Sequence, residues 1–135
     1  MDLTQTMQRQ DRRQAPRLAA SPKSQALLAL DLDQVPWDAF SCPAQFLDIS
    51  PGGTLLSSPR SALKGSRAAV ALLSPTTSVW LHAQVIDSKP AGDGQCLARL
   101  KFDADCPIEV LAEMTAHTPN WIAMYYRGSR LGQVH

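Results

Sequence analysis

Asp48 and Ser50 stand two residues apart, directly before Pro51-Gly52-Gly53. In an extended segment, residues i and i+2 point to the same face. The carboxylate and the hydroxyl therefore project together, beside backbone left bare by Gly52 and Gly53. A carboxylate accepts hydrogen bonds and a hydroxyl donates or accepts, so the pair can grip a polar ligand edge. The same pair can equally hydrogen-bond its own turn. A second group with chemical reach lies upstream, in Asp11-Arg12-Arg13-Gln14-Ala15-Pro16-Arg17. Arg13 and Arg17 are four apart, and Pro16 stiffens the approach between them. Guanidinium forks meet phosphate oxygens, or the acceptor edge of guanine, through paired hydrogen bonds. A basic run of this kind also serves as a solvated tail. Between Arg9 and Lys23 there are five basic residues against one acid, Asp11, which makes a local anion site feasible.

These residues need elements to position them. Residues 1–24 are rich in Gln and Arg, contain Pro16 and Pro22, and offer few apolar side chains, which predicts a flexible N-terminal arm. Ordered structure is expected from about Gln25; Gln25–Leu32 fits helix or strand by pattern, and Pro22, Pro36 and the short length favour a strand. Trp37 to Pro43 reads as a connection. Strands then follow at Ala44–Asp48 and Thr54–Ser57, joined by the Pro/Gly turn. Two more are expected at Arg67–Leu73 and Ser78–Ile86. In the second of these, Val79, Leu81, Ala83 and Val85 alternate with Trp80, His82 and Gln84. Lys89 to Gly94 reads as a hairpin loop. A further strand over Gln95–Phe102 sets Cys96, Ala98, Leu100 and Phe102 against Leu97, Arg99 and Lys101. Asp105 as N-cap and Pro107 in the first turn predict a helix at about 108–116, with Ile108, Leu111, Ala112 and Thr115 on its apolar face. About six short strands and one late helix imply a mainly β fold, a small six-stranded antiparallel β-barrel with a C-terminal helix. The barrel domain is expected over 25–116, with a C-terminal extension over 117–135.

With 135 residues there is room for one domain, and a net charge of +1 argues against a surface built to coat DNA, RNA or an anionic membrane. No apolar run reaches the roughly 18 residues of a membrane span. Met1 to Gln10 lacks the apolar block of a secretory signal. Three scattered cysteines (Cys42, Cys96, Cys106) without a CxxC pair fit a reducing cytoplasm better than a disulfide framework or a zinc site. Ser, His and Asp are all present, but no G-x-S-x-G elbow is found and His82 alternates outward, so hydrolysis is not expected. Asp103-x-Asp105 is read as a helix cap rather than a metal site, and Trp80 as core or barrel wall rather than a stacking platform for nucleic acid. Trp121, Ile122, Met124, Tyr125 and Tyr126 are too apolar to be left in water. They are expected to pack back, extend a strand, or form a docking patch for a partner or a second copy, as in a homodimer.

An RRxxxR run at the foot of a domain, followed by DxSxxG in an early strand turn of a small barrel, resembles the PilZ domain family. The residues that carry the likeness are Arg12, Arg13 and Arg17 with Asp48, Ser50 and Gly53. Ala98-Arg99-Leu100-Lys101-Phe102 is similar in placement to the family's later Gly-x-x-Phe, with Ala98 near the usual glycine. The resemblance covers roughly residues 12–114. It implies a receptor for the bacterial messenger cyclic di-GMP, not an enzyme, with no metal and no cofactor beyond that ligand. On this likeness Arg13 and Arg17 contact phosphate and guanine, and Arg12 stacks on a base face. Asp48 and Ser50 read the guanine donor edge, and Gly53 lets the ligand approach the backbone. The implied mechanism is an arm pulled onto the barrel by the ligand, creating a surface for a downstream effector protein. Within the same fold, the alternative is a PilZ-like protein-interaction module that does not bind nucleotide.

Overall fold

The computed structural model describes residues 17–22 and 24–116. Arg12, Arg13 and the aromatic extension over 117–135 lie outside the described residues. Among the described residues seven strands run in chain order: β1 (Leu18–Ala19), β2 (Gln25–Ala29), β3 (Cys42–Ser50), β4 (Gly53–Ser58), β5 (Arg67–Ser74), β6 (Thr77–Gly92) and β7 (Gln95–Phe102). A 3-10 turn (Trp37–Phe40) precedes β3, and one helix, α1 (Ile108–Met114), follows β7. The order β3-β2-β5-β6-β7-β4 closes through a β3–β4 pairing into a six-stranded antiparallel barrel, and β1 lies outside it, pairing with the stretch of β3 beyond the β2 contact. The mainly β barrel with its late helix is the expected fold. Pairing begins earlier than the sequence suggests: Leu18 faces Ile49 and Ala19 faces Asp48, before the first barrel strand.

The β3 strand carries a register shift that a regular alternation does not anticipate. Phe46 pairs with Leu56, yet Asp48 pairs with Leu55, so Leu47 is an extra residue in the ladder. A bulge of this kind turns the strand and reverses which face the following residues use. Phe46 and Ile49, three apart, are thereby both buried, while Leu47 is exposed and Asp48 is turned outward. A second shift, at Ile86 in β6, does the same between buried Val85 and outward Asp87. In β3 hydrophobic burial drives the arrangement, because a strict period of two would send either Phe46 or Ile49 to solvent; in β6 the shift keeps Asp87 out of the core.

The interior is filled by Leu28, Ile49, Leu56, Val70, Leu72, Val85 and Leu100, with Leu111 and Met114 of α1 covering them from one end. Gln95–Phe102 forms as expected. The Lys89–Gly94 loop shrinks, because β6 continues to Gly92 and only Asp93-Gly94 turns the chain. Both residues have positive φ (55° and 73°), the requirement of a tight hairpin turn that an Asp-Gly pair meets well. Trp80 belongs to the outer wall rather than the core, with the Trp37 ring set edge-on at 5.0 Å.

The helix departs from expectation at both ends. Asp105 is not its N-cap: Pro107 holds that position, with no side-chain cap bond. The reason is that Phe102 N donates to Gly52 O (2.8 Å) and Cys106 N to Pro51 O (2.7 Å), which keeps the connection non-helical until Ile108. At the other end Thr115 is extended and bridges to Ala20, and Ala116 N donates to Ala19 O at 2.9 Å. Helix therefore stops at Met114, and Ala112, placed on the buried face by its spacing, is exposed. No helix among the described residues is long and apolar enough to cross a membrane.

The Leu47 bulge makes a testable distinction between neighbours. Phe46→Ala is expected to cost about 3–5 kcal/mol and Ile49→Ala about 2–5 kcal/mol in urea unfolding. Leu47→Ala, lying between them, should stay within about 0.5 kcal/mol. A large loss for Leu47→Ala with little for Phe46→Ala would mean that the alternation is regular after all.

Candidate functional site

The hairpin β3–β4 ends in only Pro51 and Gly52, so Asp48 and Ser50 are strand residues rather than turn residues. Both face the barrel's outside, separated by the buried Ile49. Their neighbours follow from register. Ser50 opposes Gly53, Gly53 opposes Lys101, and Lys101 opposes Gln84. One row over, Asp48 opposes Leu55, Leu55 opposes Arg99, and Arg99 opposes Asp87. Two rows thus cross four strands on the same outer face, polar at every position except Gly53 in one and Leu55 in the other.

A cavity of about 330 Å³ opens over these rows. Its lining comes from Arg17 just before β1, from Ser50, Gly52, Gly53 and Thr54 of the hairpin, and from Ile86 of β6. Arg99 to Phe102 of β7 and the loop Asp103-Ala104-Asp105 complete it. Three of the residues singled out from sequence, Arg17, Ser50 and Gly53, therefore line one space. Asp48 adjoins it rather than lining it: Asp48 Oδ1 accepts from Leu55 N at 3.2 Å, and Oδ2 faces Arg99 Nη2 at 3.7 Å. Each side chain of that pair is 22% exposed, so the attraction is less screened than at an open surface. Ser50 Oγ donates to Gly53 O at 3.3 Å. The acid and the hydroxyl thus brace their own hairpin while lying at the cavity's edge.

Gly53 has a structural reason of its own. A Cβ there would sit 2.3 Å from the Leu100 carbonyl oxygen, which is backbone and has little room to retreat. The absent side chain is what lets β4 close onto β7. Gly52, by contrast, has open space around it.

Arg99 and Lys101 were visible in sequence as the outward set of β7, but they were not linked to the motif. That link needs the β4–β7 pairing, which joins residues far apart in the chain and leaves no local signal. Of the cavity's acids, Asp103 makes a close ion pair with Arg67. The hydrogen bond from Arg67 holds the Asp103 carboxyl below the usual carboxylate range, and Asp103 correspondingly raises the guanidinium. Lys101 makes no ion pair among the described residues. Cys106, buried beneath the hairpin, has its thiol pushed up to about 12, chiefly by burial and then by Asp105 and Glu109, so at neutral pH it is a packed apolar group and not a nucleophile. Among the described residues no three His, Cys, Asp or Glu side chains converge as a metal site would require. The arrangement suits an anion with polar edges: cations on two sides, a hydroxyl and an acid between them, and bare backbone at the floor.

The close approach at Gly53 predicts that Gly53→Ala lowers stability by at least about 1–3 kcal/mol, the usual cost of forcing atoms into filled space. Thermal and urea melts measure this directly, and an unchanged midpoint would contradict the β4–β7 contact.

Among curated proteins none matches this chain. The family model described as the PilZ domain matches residues 11–117, a span that includes Arg12, Arg13 and every residue of the cavity.

Proposed function

The chain belongs to the PilZ domain family, whose members are in general receptors for cyclic di-GMP rather than enzymes, and on that premise we propose that this protein is a cytoplasmic cyclic di-GMP receptor. The observation that carries the reading is the shared cavity of Arg17, Ser50 and Gly53, residues drawn from both sequence motifs. Arg13 and Arg17 take phosphate oxygens and the guanine acceptor edge, for which a planar fork is well shaped. Arg12 stacks on a base face. Asp48 and Ser50 receive the guanine donor edge, and to do so they exchange weak contacts, 3.2–3.7 Å long, for ligand contacts.

The output is a change in how the N-terminal segment sits. Directly after Arg17, Leu18 and Ala19 pair with Ile49 and Asp48. The next residues join the end of α1, where Ser21 N donates to Met114 O at 2.8 Å and Ala116 N to Ala19 O at 2.9 Å. A ligand that draws in Arg17 therefore pulls on a short ladder attached to both the barrel and the helix end. That ladder extends the binding event to a surface that an effector protein can read. The competing reading, an interaction module without nucleotide, draws on the internal hydrogen bonds that already occupy Asp48 and Ser50.

Calorimetric titration with cyclic di-GMP, cyclic di-AMP and GTP separates the two. The expected outcome is binding of cyclic di-GMP alone, with Arg13→Ala and Arg17→Ala each weakening it by roughly 1–3 kcal/mol. Absence of heat with all three nucleotides would favour the interaction module.

A further inference from the structure

The two motifs place cations only on the N-terminal side of the cavity, yet its opposite wall is also cationic. On β7, Arg99 and Lys101 share the outward face, and both line the cavity with Arg17. Resting on the receptor reading and extending it, we propose that Lys101 is a phosphate-binding residue of the same site. On this assignment β7 takes one phosphodiester of the cyclic dinucleotide, and Arg17 takes the other.

Three features single out Lys101. Its row runs Ser50, Gly53, Lys101, all three line the cavity, and Gly53 contributes no side chain between the other two. Two strand spacings of about 4.8 Å put those positions roughly 10 Å apart, a span suited to a base and its adjoining phosphate. Of the two acids in the wall, Asp103 and Asp105, the first is engaged by Arg67, whereas Lys101 makes no ion pair among the described residues. Arg99, although nearer the motif, is a poorer anion site. It faces Asp48 at 3.7 Å, so a carboxylate already shares its charge, and Asp87 stands opposite it in register. Lysine also suits the task, because a point charge on a flexible stem meets phosphate oxygens without demanding a fixed fork geometry.

The test is calorimetric titration of the full chain with cyclic di-GMP, comparing wild type, Lys101→Met, Arg17→Met and the double variant. Arg60→Met, past the far end of β4 and paired with Asp31, serves as the charge-matched control. Lys101→Met should bind about tenfold more weakly, the loss of one charge-assisted contact, while Arg60→Met stays within about twofold. Because the two cations hold different phosphates, the losses in the double variant should multiply. Lys101 is exposed, so matched melting temperatures rule out misfolding as the cause. Equal affinities for Lys101→Met and Arg60→Met would overturn the assignment, as would a double variant no weaker than Arg17→Met. A wild type that fails to bind would instead sink the receptor reading itself and this inference with it.

Discussion

One extra residue in one strand decides what this barrel can offer to a ligand. Without the bulge at Leu47, burying Phe46 would turn Asp48 inward, and burying Ile49 would expose Phe46. The shift allows both apolar side chains to be buried and leaves the acid on the outside, in line with Ser50. Because outward positions on neighbouring strands lie side by side, the same shift sets Asp48 in a row with Arg99, and Ser50 in a row with Lys101. Packing in the core and charge on the surface are thus fixed by a single local irregularity. The Gly53 contact with the Leu100 carbonyl brings in the third strand, and the site exists only where these two constraints meet.

The mechanical context follows from the same region. Residues Leu18 to Ser21 bridge β3 and the end of α1, so the backbone directly after Arg17 is tied to elements at two points. Helix α1 stops at Met114 because its next residues serve that ladder instead of a further turn. A site beside such a connection has a short route to a change at the surface.

Much of this was legible in the residues. Alternation in Gln95–Phe102 gave β7 its inward and outward faces, and short strands with one late helix gave the barrel. Both motifs were visible as motifs. What was not legible depends on contacts between distant segments. The Leu47 bulge disguises itself as a break in alternation, since Phe46 and Ile49 fit no single strand period. Asp105 has every local mark of an N-cap, yet the carbonyls of Pro51 and Gly52 hold the following backbone away from helix. Arg99 and Lys101 could be assigned to a face but not to a neighbour. The Asp93-Gly94 turn is a different case: its pair was plain to read, and the longer loop assumed around it was a matter of length alone.

On the proposed function, one outward face built from Arg17, the β3–β4 hairpin and β7 receives a guanine dinucleotide. Residue-by-residue amide shifts during titration with cyclic di-GMP test it most directly. Changes should concentrate at residues 17–19, 48–54 and 99–105, and leave the wall around Trp37 and Trp80 unmoved. Shifts confined to that aromatic wall, or none at saturating messenger, would contradict it.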